Sequence, residues 1–162
     1  MPKAIMSVSD KSGLVEFASG LVELGWQLIA TGGTAGVLLE HQLPVIEAAD
    51  YTGSPEMLGG RVKTLHPAIA GGLLGRATAS DRAELAGQGW ELIDLAVVNL
   101  YPFEATVAKA GVSRAEAIEN IDIGGVTLIR AAAKNSERVT LLCDPQDYAV
   151  VLDSLRTAGS RP

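Results

Sequence analysis

Two short polar turns and one long glycine-rich loop hold most of the residues in this chain that could do chemistry. Ser9-Asp10-Lys11 follows one apolar run and Thr31-Gly32-Gly33-Thr34 follows another. Each turn precedes a helical pattern, so its backbone N–H groups would open toward an anion with the positive end of a helix dipole behind them. Gly32 and Gly33 would let a phosphate approach the backbone closely, and the threonine hydroxyls and Lys11 would add donors. Neither turn matches the P-loop or the dinucleotide fingerprint, and ordinary helix capping would explain either one alone. The third cluster tips the balance. Arg61, Lys63, Thr64 and His66 lie in a stretch punctuated by Gly53, Pro55, Gly59, Gly60 and Pro67. Cations set in such a loop, beside two anion-binding turns, point to a phosphate-bearing ligand.

Proton transfer has its own candidates. Lys63 and Lys134 are amines that would act as acid, base or nucleophile if burial or a nearby cation lowered their proton affinity. By spacing alone, Lys134 reads somewhat better as a cation placed to interact with the end of a helix dipole. Tyr101 could donate a hydrogen bond or a proton, and Asp122 stands just before Gly124-Gly125, where a carboxylate could cap the next helix. His41 and His66 show no metal-ligand spacing, so no metal site is expected, and Cys143 at a strand end is expected to be a buried small apolar residue.

These residues need a frame, and the apolar pattern supplies one. Six or seven apolar stretches alternate with helical patterns, the signature of a doubly wound, mostly parallel α/β sheet with helices on both faces. Strands are expected at Lys3 to Val8, Trp26 to Ala30, after Pro44, at Ile69 to Leu74, at Asp94 to Leu100 and at Arg138 to Cys143. The run from Asp94 to Leu100 is continuous enough for a central strand buried on both faces. Helices are expected over Leu14 to Leu21, through Val37 to His41, over Ser80 to Gln88, from the capping box Ser113-Arg114-Ala115-Glu116, and after Asp144-Pro145. From Asp50 to Pro67 no strand or helix pattern is visible, and a loop of that length inside one domain is usually functional. In an open parallel sheet, ligands bind at the carboxyl ends of the strands, where these polar clusters fall.

Composition narrows the function classes. The chain has 162 residues, 48% of them hydrophobic, which suits one compact domain with a single core. With 13 Lys and Arg against 19 Asp and Glu the formal net charge is −6, which argues against nucleic acid as a partner. No apolar run is long enough for a membrane span, the N-terminus lacks a signal-peptide pattern, and one cysteine excludes an internal disulfide framework. A cytoplasmic protein with a small-molecule substrate is expected.

Six motifs, in order and covering almost the whole chain, then carry a family resemblance: SVSDK at 7–11, TGGTA at 31–35, PEMLGGRVKTLHP at 55–67, NLYPF at 99–103, IDIGGVTLIRAAAKN at 121–135 and DPQDY at 144–148. Together they resemble the IMP cyclohydrolase domain of the bifunctional purine-biosynthesis enzymes, a member of the methylglyoxal-synthase-like group. The resemblance implies one such domain over residues 1–156, a frayed tail over 157–162, and a transformylase domain that is not part of this chain. It implies dehydrative ring closure of 5-formamidoimidazole-4-carboxamide ribonucleotide (FAICAR) to IMP without a cofactor. It leaves room for a homodimer and for a transformylase domain or protein as partner.

Carried over motif by motif, Ser9, Lys11, Thr31, Gly32, Gly33, Thr34, Arg61, Lys63 and Thr64 would hold the nucleotide, chiefly by its phosphate. Lys63, Tyr101, Asp122 and Lys134 would surround the reacting base, with Asn99 and Gly124 nearby. The resemblance suggests Asp122 with Lys134 at the carboxamide and Lys63 with Tyr101 at the formyl oxygen, or the reverse. A straight helix from Gly124 to Lys134 would hold Asp122 and Lys134 about 15 Å apart, so their pairing requires a shorter helix or a ligand that bridges them. Two alternatives have the same phosphate turns: a non-catalytic nucleotide-binding regulatory module of the same group, and methylglyoxal synthase.

Overall fold

A computed structural model describes residues 1–158. The chain begins with β1 (Lys3–Val8), α1 (Leu14–Glu23), β2 (Gln27–Ala30), α2 (Gly32–Glu40) and β3 (Val45–Glu47). It continues through α3 (Ala48–Thr52), α4 (Pro67–Leu74), α5 (Ala79–Gly87) and β4 (Leu95–Asn99). The last third holds α6 (Phe103–Val107), α7 (Arg114–Glu119), α8 (Gly124–Lys134), β5 (Thr140–Leu142) and α9 (Tyr148–Thr157).

The strands form one sheet in the order β3-β2-β1-β4-β5, every pairing parallel. Strand order reverses direction between β1 and β4, where Val8 lies opposite Asn99. Loops leaving the carboxyl ends of two such strands diverge to opposite faces and leave a crevice between them.

The sheet is buried from both sides, which explains its continuous apolar runs. Ala4 and Met6 of β1 face a core completed by Leu14, Phe17 and Leu21 of α1, Leu38 of α2, and Leu152 and Leu155 of α9. Ile5 faces the other core, with Ile69 and Leu73 of α4 and Leu128 and Ala132 of α8. Alternate strand residues point to opposite faces, so one strand serves both helix layers.

Among the described residues five strands form where six or seven apolar stretches are visible, and Ile69 to Leu74 is the main difference: it is helix, not strand. A six-residue apolar run is ambiguous by periodicity, and here the flanking residues decide. Pro67 sits at the first helical turn, and His66 Nδ1 accepts the N–H of Ala68 at 3.1 Å. The buried positions Ala68, Ile69, Gly72 and Leu73 follow helical spacing. Gly72 also lets the helix approach the chain before β4, because a Cβ there would lie 2.9 Å from the Glu91 carbonyl oxygen.

The loop from Asp50 to Pro67 is more ordered than its composition suggests. It contains the end of α3, closed by Gly53 at φ 67°, and a 3-10 turn at Leu58–Gly60. A single antiparallel bridge, Met57 N–H to Val62 O at 3.1 Å and Val62 N–H to Met57 O at 3.2 Å, pins that turn.

Other differences are smaller. The last strand is shorter than the apolar run from Arg138 to Cys143, because the backbone N–H groups of Arg138 and Val139 both bond the Asn135 carbonyl, at 3.0 and 2.9 Å, instead of joining the sheet. Cys143 lies just past β5 and is exposed rather than buried. Asp144 caps a 3-10 turn, Pro145–Asp147, that leads into α9. Within the tail expected to fray, Thr157 is the last residue of α9, and residues 159–162 lie outside the described residues.

Candidate active site

A cleft of about 670 Å³ opens at the carboxyl ends of β1, β2 and β4, a volume within the usual range for a small-molecule site. Ser9 and Lys11 line it from the β1–α1 turn, Thr31 to Thr34 from the start of α2, and Arg61, Lys63 and Thr64 from the glycine loop. Asn99, Tyr101, Asp122 and Gly124 line it from the β4 end and the approach to α8. The three polar clusters separated in sequence thus share one cavity, except that His66, the cap of α4, does not line it.

Its floor is held by side chains that bind backbone. Asn99 Oδ1 accepts the N–H groups of Ser9 and Asp10 at 2.6 and 2.8 Å, and its Nδ2 donates to the Asp10 carbonyl at 3.1 Å. Thr34, 3% exposed, accepts the Val8 N–H at 3.1 Å and donates to the Val8 carbonyl at 3.2 Å. That hydroxyl fastens α2 to the end of β1 and has no hydrogen left for a ligand. Thr31 donates to the Ser7 hydroxyl at 3.2 Å. No side chain caps the start of α2, which leaves its first N–H groups directed at the cleft.

The cations are placed from three directions. Lys11 donates to the Val8 carbonyl, and burial pushes its ammonium pKa down while Asp10 opposes the shift. Lys63 enters between two glycines: a Cβ on Gly32 would lie 3.3 Å from its Nζ, and one on Gly60 would lie 2.9 Å from its Cε. Both glycines have positive φ, 38° and 88°, so geometry and space each favour the missing side chain. Glu56 Oε2 lies 3.3 Å from the Lys63 ammonium. Arg61 pairs with Glu119 across the cleft, its Nε donating to Oε1 at 3.2 Å and its Nη2 to Oε2.

Asp122 accepts the Gly125 N–H at 2.7 Å, so the helix α8 fixes one carboxylate oxygen and leaves the other available. Gly124 gives Thr64 its room, since a Cβ there would stand 2.8 Å from Thr64 Oγ1. Tyr101 is 61% exposed at the rim.

Lys134 is the exception. Helix α8 runs uninterrupted from Gly124 to Lys134, a rise of about 15 Å. Lys134 is exposed at its far end and does not line the cleft, while Asp122 lies before its start. Neither the shortened helix nor the side-chain contact that would pair the two is present within this chain.

Glu56 and Glu119 are the residues that sequence reasoning missed. Glu56 precedes the turn pinned by the Met57–Val62 bridge and Lys63 follows it, but the bridge is invisible in composition. Glu119 ends a helix recognisable only by its capping box, and its place on the cleft wall depends on the path of residues 100–123.

The fold and the cleft together meet a known pattern: the model of the MGS-like domain family matches residues 13–127. The chain belongs to that family. This MGS-like domain is 59% identical over 157 residues to the bifunctional purine biosynthesis protein PurH of Desulfitobacterium hafniense (strain DSM 10664 / DCB-2). That match covers 97% of the chain and 30% of the relative. The PurH protein of Magnetococcus marinus is 58% identical over 155 residues, 95% of the chain and 29% of the relative. The chain therefore spans about three-tenths of the length of these curated relatives. A solved structure described as the crystal structure of ForH superposes with a TM-score of 0.89 at 41% identity, covering 99% of this MGS-like domain and 81% of that chain. The parallel α/β fold expected from the alternation of apolar stretches with helical patterns, and implied by the resemblance, is the fold observed.

Proposed function

We propose that the chain is an IMP cyclohydrolase that closes the ring of FAICAR to IMP with loss of water, the last step of purine synthesis. One observation carries the reading: a single cleft joins an anion-binding end, made by Lys11, Arg61, Lys63 and the start of α2, to a rim with a phenol and a carboxylate, Tyr101 and Asp122. Relatives at 59% identity named as purine biosynthesis proteins support it. The expected setting is cytoplasmic, with a transformylase domain or protein and a second copy of the chain as partners.

The reaction is intramolecular, so the gain from joining two molecules is absent, and positioning and electrostatics must supply the acceleration. The carboxamide nitrogen attacks the formyl carbon, and the free oxygen of Asp122 accepts one N–H proton as the C–N bond forms. Lys63 and Tyr101 donate to the formyl oxygen as it gains charge. The C–O bond then breaks, the formamide nitrogen gives up its proton to form the new C=N bond, and the oxygen leaves as water with both protons. Thr64, in the glycine loop against Gly124 at the start of α8, and the anion-binding turns fix the ribose phosphate so that the formyl group stays in the reactive rotamer. Lys134 takes no part in this scheme.

The test is to add FAICAR to the chain and follow the ultraviolet absorbance of IMP formation. Turnover supports the reading; folded protein that binds IMP without turnover overturns it in favour of a nucleotide-binding regulatory module.

A further inference from the structure

The Arg61–Glu119 pair spans the cleft from one wall to the other, joining residues 58 apart in sequence. Nε and Nη2 of Arg61 address the two oxygens of one carboxylate. This fork is the pairing that two oxygens of a phosphate would accept, so Glu119 stands where an anionic ligand would stand. Each partner reinforces the other's charge: Glu119 raises the guanidinium pKa, and Arg61 lowers that of the carboxyl.

Three features make this carboxylate replaceable. Arg61 and Glu119 side chains are 66% and 57% exposed, so solvent screens their attraction. Glu119 is the last residue of α7, where the negative end of the helix disfavours a carboxylate. Helix α7 contributes no buried residue, so no core contact fixes Glu119 in place. Arg138 shows the contrast, with a guanidinium 12% exposed and bound to four carbonyl groups as well as Asp94.

We infer that Glu119 is a selectivity residue of this cleft, occupying Arg61 until a dianionic phosphate displaces it. The inference rests on the nucleotide reading above and adds a competitor to it. A neutral nucleoside cannot displace the carboxylate, whereas a phosphate dianion gains more from the same fork and from the neighbouring cations.

The test is calorimetric titration of the full chain with IMP, inorganic phosphate and inosine, using the parent, Glu119→Gln, Glu119→Ala, Arg61→Ala and Arg61→Ala/Glu119→Gln. IMP and phosphate are expected to bind about two- to five-fold more tightly to both Glu119 variants, the range an exposed ion pair covers. Inosine binding stays unchanged, and the gain vanishes when Arg61 is absent. Phosphate binding that is unchanged or weaker in both Glu119 variants overturns the inference. So does an equal gain for inosine, a gain that survives the loss of Arg61, or no binding of phosphate or IMP by any variant. FAICAR turnover by the same parent preparation separates the two readings: a gain without turnover removes the cyclohydrolase reading alone, and turnover without a gain removes only the role of Glu119.

Discussion

Asn99, at the end of β4, holds the turn after β1 by accepting the N–H groups of Ser9 and Asp10 on one side-chain oxygen. It stands at the point where the strand order reverses, so a single amide fixes the floor of the crevice that the topology opens. Asn99→Ala leaves those two donors without their partner and is expected to cost about 1–3 kcal/mol of stability. The same variant should weaken IMP binding, because the Ser9 to Lys11 turn loses its anchor. Urea denaturation and an IMP titration on the same preparation read both effects.

Asp122→Asn removes the proposed proton acceptor while keeping a side-chain oxygen for the Gly125 N–H. Turnover of FAICAR is expected to fall on the order of 100- to 10,000-fold with little change in IMP affinity. Because helix α8 holds Lys134 outside the cleft, the effects of Asp122→Asn and Lys134→Ala on kcat/KM should add to within about 0.5 kcal/mol. A double-mutant cycle in steady-state kinetics measures the coupling.

Gly60→Ala places a Cβ against Lys63 at a backbone φ of 88°. The predicted result is a displaced Lys63, with a large loss of FAICAR turnover and a protein that still unfolds cooperatively. Kinetics beside a thermal melt separate these outcomes.

Arg138→Ala leaves the carbonyl groups of Gly72, Leu73, Gly75 and Ile93 short of a donor and Oδ1 of Asp94 without its guanidinium, while Oδ2 keeps the Lys3 N–H at 3.1 Å. A loss of about 2–4 kcal/mol is expected. Lysine at this position should recover little, since one ammonium cannot reproduce the planar fork. Chemical denaturation of the three proteins checks the order.

Tyr148 stacks on Phe17 with ring centroids 4.7 Å apart. Burial, joined by the charges of Asp10 and Asp144 and by Cys143, pushes its hydroxyl up to about 12. In the unfolded chain the group ionises near its ordinary value of about 10. Between those values the folded state holds the proton that the unfolded state has released, so stability falls as pH rises through that window. Tyr148→Phe should reduce the fall, read as the difference in urea midpoint between about pH 9 and about pH 11.5.

How much of this was legible differs from residue to residue. Ser113 and Glu116 announced a helix start by a local bond pattern, and both halves of that capping box form. The glycine-rich loop was recognisable as a place for chemistry, yet its turn was not, because the Met57–Val62 bridge depends on two residues meeting rather than on either one. Ile69 to Leu74 was apolar enough for strand or helix, and the proline and histidine cap before it settled the matter.

By itself the sequence determined the alternation of strands and helices, the turns that open at the strand ends, and the polar residues those turns carry. These are local properties: periodicity, capping and backbone freedom act over a few residues. Only the tertiary structure decided which charges face one another. It gave Glu119 to Arg61 and Glu56 to Lys63, fixed Arg138 under the end of α4, and kept Lys134 away from Asp122. The reason is that ion pairing and helix length act through distance in space, which the order of residues along the chain does not encode until the sheet has set where each loop emerges.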